Sequence, residues 1–142
     1  IEFFDADGSD VNQIINYNFN RAAFYCDDNG KLFLARIFQP DLSHKMGDYP
    51  IISAEEAKKL LLNKNYITTV PYELPGESYI MKTELVYRTG THEKYFMPYY
   101  RFYVELPAAE REGGMKTYGA YYVPAVFGSY ISNMPVWDGS FN

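Results

Sequence analysis

The sequence predicts an α+β fold in which one main α-helix packs on one face of an antiparallel β-sheet of about five strands. Three observations support this fold class. Residues 95–106 alternate as a strand does, with aromatic side chains on both faces, and form the predicted central strand. Two apolar runs flank Asn29 and Gly30, which predicts a β-hairpin over residues 21–38. Ser53 and Glu56 form a capping box at the start of an amphipathic helix.

Length and charge narrow the class of protein. A chain of 142 residues and 16.5 kDa suits a single domain over residues 1–142. The net charge is −5 and the Lys and Arg residues are scattered, so we expect no nucleic-acid partner. The chain also has no apolar run long enough to cross a membrane, so we expect no direct membrane insertion by this segment. Aromatic residues make up 18% of the chain, mostly tyrosine, which suits a recognition surface.

The first twenty residues contain an acidic stretch at 5–10 that resembles a calcium loop at first sight. An EF-hand needs glycine at its sixth position and glutamate at its twelfth, where this chain has Asp10 and Asn16. We therefore expect a solvated turn, in which Asp10 caps a short helical turn and Gln13 reaches back. Residues 16–20 alternate polar and aromatic side chains and are expected to lead into a strand.

The predicted hairpin has a two-residue type I′ turn at Asn29 and Gly30, which determines the pairing of its strands. On one face, Cys26 would then lie among aromatic residues, which favours a structural role for its thiol over a catalytic one. We expect this face to be core, with an ion pair at the turn. The expected pairs are Asp28 with Lys31, Cys26 with Phe33, Phe24 with Ala35, and Ala22 with Ile37.

The one helix predicted with a clear start begins at Ser53, which can accept from the Glu56 amide while the Glu56 carboxylate bonds back. Ile52 and Ala57 have the spacing of a hydrophobic staple. An isolated helix of about eleven residues is only marginally stable, so it must bury its apolar stripe of Ala57, Leu60 and Leu61 on a sheet.

Three further strands are expected around the central one. A short strand lies near residues 67–70, and a second strand over 78–88 has apolar Met81, Leu85 and Tyr87 on one face. The last strand, over 117–127, contains Pro124, which places it near an edge or at a bulge. The tail carries Trp137, the only tryptophan, and is expected to pack back onto the sheet.

The central strand offers the candidate binding site. Its first face, which includes Phe102 and Val104, is expected to be core. On its second face Arg101 lies between Tyr99 and Tyr103 and can stack on either ring, which predicts a surface for a protein or peptide partner. Two alternatives remain at this point. The rings could be covered by Trp137, Phe141 or an upstream segment, or Tyr99, Tyr103 and Glu105 could hold a carbohydrate.

No motif in the chain predicts catalysis, a metal or a cofactor. The sequence lacks the Gly-x-Ser-x-Gly, His-Glu-x-x-His and phosphate-loop patterns. His44 and His92 lie in predicted loops, and Cys26 lies on a predicted core face. We therefore expect a noncatalytic protein with no cofactor and no metal site.

Two stretches together resemble a known family. The helix over 52–62, ISAEEAKKLLL, is followed by a strand that contains MPYYRFY at 97–103. This combination resembles PepSY-type domains and the related YycI-type extracytoplasmic regulators of Gram-positive bacteria, with Tyr100 where the family usually has tryptophan. The resemblance implies a cystatin-like α+β fold and no catalytic residues. It also implies a regulatory module outside the cytoplasm, often membrane-anchored, that acts on a protease or a membrane protein.

The chain begins at Ile1 and not at methionine. We expect it to be a C-terminal fragment of a longer secreted or surface-anchored protein whose leader is absent from this sequence. The partner and the oligomeric state are left open by the sequence.

Overall fold

The α+β class predicted from the sequence is confirmed by a computed structural model, which describes residues 1–37, 40–89, 94–109 and 114–141. The described residues form two antiparallel sheets, of three and four strands, and two α-helices. The finer expectation of one sheet of about five strands with one main helix is not confirmed. The chain divides into two compact units, residues 1–45 and 46–142. Whether residues 1–142 act as a single domain stays a prediction.

The first unit contains one helix and one sheet with the strand order β1-β2-β3. The second unit contains one helix and one sheet with the order β4-β7-β6-β5. The elements of the first unit are β1 (Glu2–Phe3), α1 (Asp10–Phe19), β2 (Ala22–Cys26) and β3 (Leu32–Arg36). Those of the second are α2 (Ala54–Leu62), β4 (Ile67–Thr68), β5 (Ile80–Tyr87), β6 (Pro98–Glu105) and β7 (Tyr118–Pro124).

Helix α1 includes residues 16–19, where the alternation of polar and aromatic side chains predicts extended backbone that leads into a strand. The helix continues to Phe19, so residues 16–19 are helical and not extended, and the strand to which residues 16–20 are expected to lead begins at Ala22. Its N-cap is Ser9 and not Asp10, and the Ser9 hydroxyl accepts from the Asn12 amide. Ile15 is fully buried, and the Asn18 amide donates to the Ile14 carbonyl oxygen at 2.9 Å. The polar side chains are thus satisfied locally, and the helix buries Ile15 where the two-residue alternation suggests extended backbone.

The hairpin of β2 and β3 forms, but its turn differs from the predicted one. The loop has three residues, since the Asp27 amide donates to the Lys31 carbonyl oxygen at 2.9 Å. Asp27 Oδ1 accepts from the Asn29 and Lys31 amides at 3.0 and 2.8 Å, and Gly30 adopts φ +77°. This is the three-residue loop that combines a turn with a left-handed glycine.

The longer loop and a bulge shift the register of the hairpin near its turn. Phe24 pairs with Ala35 as predicted, but Cys26 pairs with Leu32, so the predicted partner Phe33 is the extra residue of a β-bulge. The predicted pairing of Asp28 with Lys31 also fails, because Asp27 takes that place. Cys26, Phe33, Ala35 and Ile37 are all exposed, and the buried residue of β2 is Ala23 on the opposite face, so the expected core face is wrong.

Helix α2 begins as predicted. The Ser53 hydroxyl accepts from the Glu56 amide at 3.2 Å, and Glu56 Oε2 accepts from the Ser53 amide at 2.8 Å. Ala57 and Leu61 are fully buried, Leu60 packs against the same core, and the helix lies against β7. The helix therefore derives its stability from burial on the sheet, as the apolar stripe predicted.

The second sheet is built around β6, which pairs with β5 on one side and β7 on the other. This confirms the predicted central strand. β7 lies between β6 and β4, so the expectation of an edge position for it is wrong. Pro124 is tolerated there because β4 pairs only at Tyr121 and Tyr122, so the proline lies beyond the end of β4. The core beside α2 is formed by Ile52, Tyr66, Phe102, Val104, Leu106, Tyr121 and Val123.

The tail after β7 returns to this core, as expected for its tryptophan. Trp137 packs against the core and stacks on Tyr66 with ring centres 5.9 Å apart. The Trp137 amide also donates to the Lys64 carbonyl oxygen at 2.8 Å. In the part of the chain that the structure describes, no helix is both long and apolar enough to cross a membrane.

Candidate functional site

The three residues predicted to bind a partner lie side by side on the second face of β6. Strand β5 supplies their cross-strand neighbours, because Glu84 pairs with Arg101 and Lys82 pairs with Tyr103. The register of two neighbouring strands therefore brings Arg101 and Tyr103 to one carboxylate, that of Glu84. We refer to Lys82, Glu84, Arg101 and Tyr103 as the glutamate network.

Glu84 is the centre of this network. Its Oε2 accepts from Arg101 Nη2 at 2.8 Å and from the Tyr103 hydroxyl at 3.1 Å. Its Oε1 lies 2.7 Å from Lys82 Nζ. The Arg101 guanidinium is also 4.8 Å from the centre of the Tyr103 ring, within the range of a cation–π contact. The Glu84 carboxylate thus contacts the polar group of each of the other three residues.

The electrostatics of the network favour the charged form of both main partners. Burial alone would raise the pKa of Glu84, but hydrogen bonds from Lys82 and Arg101 and their positive charges outweigh it and hold this pKa below its usual value. Burial likewise opposes the charge of Arg101, yet the hydrogen bond to Glu84 raises the pKa of the guanidinium. The pair is therefore ionised over the whole neutral range.

The tyrosine rings beside this pair are not open. Tyr103 is fully buried and Tyr99 is 7% exposed. The Tyr99 ring meets the Tyr122 ring edge to face, at 81° between planes and 6.4 Å between centres. A stacking surface for a sugar or a flat peptide group needs exposed rings with parallel planes, which this arrangement lacks. The binding role of Tyr99, Arg101 and Tyr103 stays a prediction, and their geometry is that of a packed polar cluster.

Tyr99 also forms part of the wall of a cleft of about 280 Å³. Arg88 and Asn133 are the polar residues of this cleft, and the rest of its wall is apolar: Ile67, Met97, Tyr99, Pro124, Ile131 and Pro135. Ligand sites for small molecules generally enclose about 300–1,000 Å³, so this cleft is at the lower limit of that range. It has room for a small group but not for an oligosaccharide.

The first unit carries a surface that the sequence analysis missed. Every residue of β3 is exposed, although the strand and the residue after it are mostly apolar. Phe33 is 67% exposed and Ile37 is 61% exposed. We call the four large apolar residues of this segment the hairpin patch: Leu32, Phe33, Leu34 and Ile37. Contiguous exposed apolar patches of more than a few hundred Å² are rare on monomeric proteins and mark interaction sites.

A signal for the hairpin patch is present in the sequence. Residues 32–34 are Leu, Phe and Leu, an unbroken apolar run and not an alternating one. Such a run fits a strand that is covered on both faces, yet β3 is the outer strand of its sheet. A register set by the predicted two-residue turn divides this run between a core face and a mixed face.

The residues considered for metal binding or catalysis do not converge where the structure describes them. Across residues 1–37, 40–89, 94–109 and 114–141, no group of three or more His, Cys, Asp or Glu side chains could hold a metal ion. His44 is exposed in the loop after the hairpin, and Cys26 is exposed on β2. His92 lies outside the described residues.

Comparison of the chain with protein-family models, curated proteins and solved structures found no match. The resemblance to PepSY and YycI-type domains therefore rests on residues 52–62 and 97–103 alone.

Proposed function

We propose that this chain is a noncatalytic, extracytoplasmic regulatory module of the PepSY-like and YycI-like kind that binds a protein or peptide partner. The observation that carries the proposal is the hairpin patch. Three of its four large apolar side chains are exposed on the outer strand of the first sheet, and Ile37 is exposed directly after that strand. Burying one such side chain contributes about 1.5–3 kcal/mol, so a partner that covers two or three of them gains substantial affinity.

The charges beside the hairpin patch indicate the chemistry of the partner. Lys31 precedes β3 and Arg36 ends it, and neither forms an ion pair with another described residue. The Arg36 guanidinium lies 5.9 Å from the Tyr25 ring centre, which holds it close to the sheet. An apolar segment flanked by Asp or Glu would complement both the patch and its charges.

Two features support the PepSY-like part of the proposal. The capped helix α2 packs on an antiparallel sheet whose central strand carries residues 98–103, which is the arrangement that the resemblance implies. The chain also has one cysteine and so needs no disulfide, which is compatible with a bacterial protein outside the cytoplasm.

The proposed location outside the cytoplasm is tested by protease accessibility of the tagged native protein in intact cells. Protection from protease until the cells are lysed would contradict it.

The binding proposal is tested with a displayed library of random peptides, selected on the purified chain. We expect the enriched peptides to be apolar with at least one acidic residue. Replacement of two patch residues, Phe33→Ser with Leu34→Ser, should weaken their binding by at least about tenfold, since about 1.4 kcal/mol corresponds to tenfold. The control is Phe141→Ser, which changes a comparably exposed phenylalanine in the other unit. Equal binding by both variants would refute the role of the patch.

The carbohydrate-binding alternative gains no observation in its favour. It requires open tyrosine rings near an available carboxylate. Tyr103 is buried, its hydroxyl is bonded to Glu84, and Glu105 Oε2 lies 2.9 Å from Lys116 Nζ. We therefore do not propose it as a second function.

A further inference from the structure

Strand β5 forms the outer edge of the second sheet and is a second surface open to a partner. It pairs with β6 from Ile80 to Tyr87, and none of the described residues pairs with its other side. Register is regular from Lys82 onward, after an irregularity at the start of the strand. Leu85 and Tyr87 are 50% and 52% exposed. An edge of this length with apolar side chains is a template for another strand.

The hydrogen bonds to β6 determine which backbone groups of β5 are open. The Arg88 amide donates to the Met97 carbonyl oxygen at 3.2 Å, so the backbone of Arg88 faces β6. In an antiparallel pair the direction of these groups alternates along the strand. The amide and carbonyl groups of Thr83, Leu85 and Tyr87 therefore point away from β6, toward the open edge.

We propose that β5 pairs antiparallel with β5 of a second copy of this chain, about a two-fold axis at Val86. The two four-stranded sheets would then form one continuous sheet of eight strands. In this register Leu85 of one copy exchanges both backbone hydrogen bonds with Tyr87 of the other, on each side of the axis. The same two exposed apolar side chains become cross-strand neighbours, which removes them from water.

The charges on β5 select this register. With the axis at Val86, Glu84 of each copy lies opposite Arg88 of the other, which places unlike charges together. With the axis at Leu85, Lys82 lies opposite Arg88, and like charges directly opposite destabilise a strand pair. With the axis at Tyr87, Arg88 lies opposite Val86, so the attraction between Glu84 and Arg88 is lost. Both neighbouring registers are therefore less favourable than the one with its axis at Val86.

This surface differs from the hairpin patch in its unit and in its partner. The hairpin patch is proposed to bind another protein, whereas the β5 edge is complementary to itself. The test of self-association is therefore independent of the test of partner binding at the hairpin patch.

Cysteine cross-linking tests both the pairing and its register. In the full chain with Cys26→Ser, Val86→Cys places two thiols opposite each other at a position without hydrogen bonds, where Cα atoms are about 4.5 Å apart. We expect this variant to form a disulfide-linked dimer under mild oxidation. The control is Leu85→Cys, which is self-opposed only in the neighbouring register and should cross-link far less. Equal cross-linking of the two variants would overturn the register.

Sedimentation equilibrium of the unmodified chain tests the dimer itself. Because one strand edge buries less area than a standard interface, we expect a weak dimer and would measure up to about 500 µM. Leu85→Lys should raise its dissociation constant by at least about tenfold, whereas Leu62→Lys, an exposed leucine on α2, should leave it unchanged. A monomer at every concentration would overturn the proposal. Hydrogen exchange of the Leu85 amide would then show the cause. Protection of this amide in the monomer would mean that another segment of the same chain occupies the edge.

Discussion

Replacing Glu84 by glutamine should destabilise the second unit, because Glu84 is the one carboxylate of the glutamate network. Glutamine keeps the shape of the side chain but removes its charge and replaces one acceptor oxygen by an NH2 group. Of the contacts to Arg101 at 2.8 Å and Lys82 at 2.7 Å, one therefore becomes a neutral hydrogen bond and the other loses its acceptor. A hydrogen bond to a charged group contributes about 1.5–3 kcal/mol and a neutral one about 0.5–1.5, so the first change costs about 1 kcal/mol and the loss of the second hydrogen bond costs at least as much. We expect the free energy of unfolding to fall by about 2 kcal/mol, because Arg101 also keeps a largely buried charge without a counter-charge.

Urea unfolding at pH 7, followed by tryptophan fluorescence of Trp137, measures this loss in the unit that contains the network. The control is Glu55→Gln. Its carboxylate lies 3.6 Å from Lys58 Nζ and its side chain is 79% exposed, so the effect should stay below about 0.5 kcal/mol. If Glu84→Gln costs no more than this control, the network contributes nothing measurable and the argument is refuted. Adding Arg101→Met should recover part of the loss, since it removes the unpaired charge.

The difference in unfolding free energy between the parent chain and Glu84→Gln should depend on pH in a defined direction. The pKa of Glu84 is lowered in the folded state, so its stabilising effect is complete above the usual glutamate pKa of about 4.3. The effect is lost as the pH falls through the lower folded-state pKa. The free energies of unfolding of the parent chain and of Glu84→Gln should therefore converge on acidification, and a constant difference down to the lowest pH would contradict the pKa shift.

Two further changes test the packing of the second unit by urea unfolding. Gly119→Ala should cost about 1–3 kcal/mol, since its Cβ would lie 2.7 Å from the Val70 side chain, whereas Gly128→Ala meets nothing closer than 3.8 Å and should cost less. Leu61→Ala should cost about 2–5 kcal/mol because Leu61 is fully buried, and the adjacent Leu62→Ala should cost well under half as much because that side chain is exposed. Equal losses of unfolding free energy within either pair of variants would show that the side-chain packing described for that site is wrong.

The elements that depend on signals within a few neighbouring residues were predicted correctly. The capping box at Ser53 and Glu56 needs only the chain between them, and the helix begins there. The central strand was also identified, because its alternation extends over residues 98–105 without a break. The candidate site was found in part: Arg101, Tyr99 and Tyr103 do share a face. Their carboxylate partner Glu84 was assigned to a strand but not to this cluster, because strand register cannot be obtained from either strand alone.

The mistakes arose where a local pattern fitted two structures. The hairpin turn was assigned to Asn29 and Gly30, but the Asp27 carboxylate binds two loop amides and lengthens the loop by one residue. The exposure of Phe33 and Cys26 has another reason: every residue of β3 is exposed, so neither face of this strand lies in a core, and the register does not decide the burial of its side chains. Residues 16–20 were likewise taken for the approach to a strand, since the burial of Ile15 does not follow from the spacing of their side chains.

The sequence by itself determined the α+β class, the start of α2, the central strand and the tyrosine content of its second face. These depend on capping, alternation and composition, which are properties of neighbouring residues. Only the tertiary structure decided that the strands form two sheets, that Glu84 and Arg101 meet, and that β3 and β5 lie at open edges. The physical reason is that sheet order, register and exposure depend on which distant segments pack together, and the free energy of that packing is not contained in any single stretch of the chain.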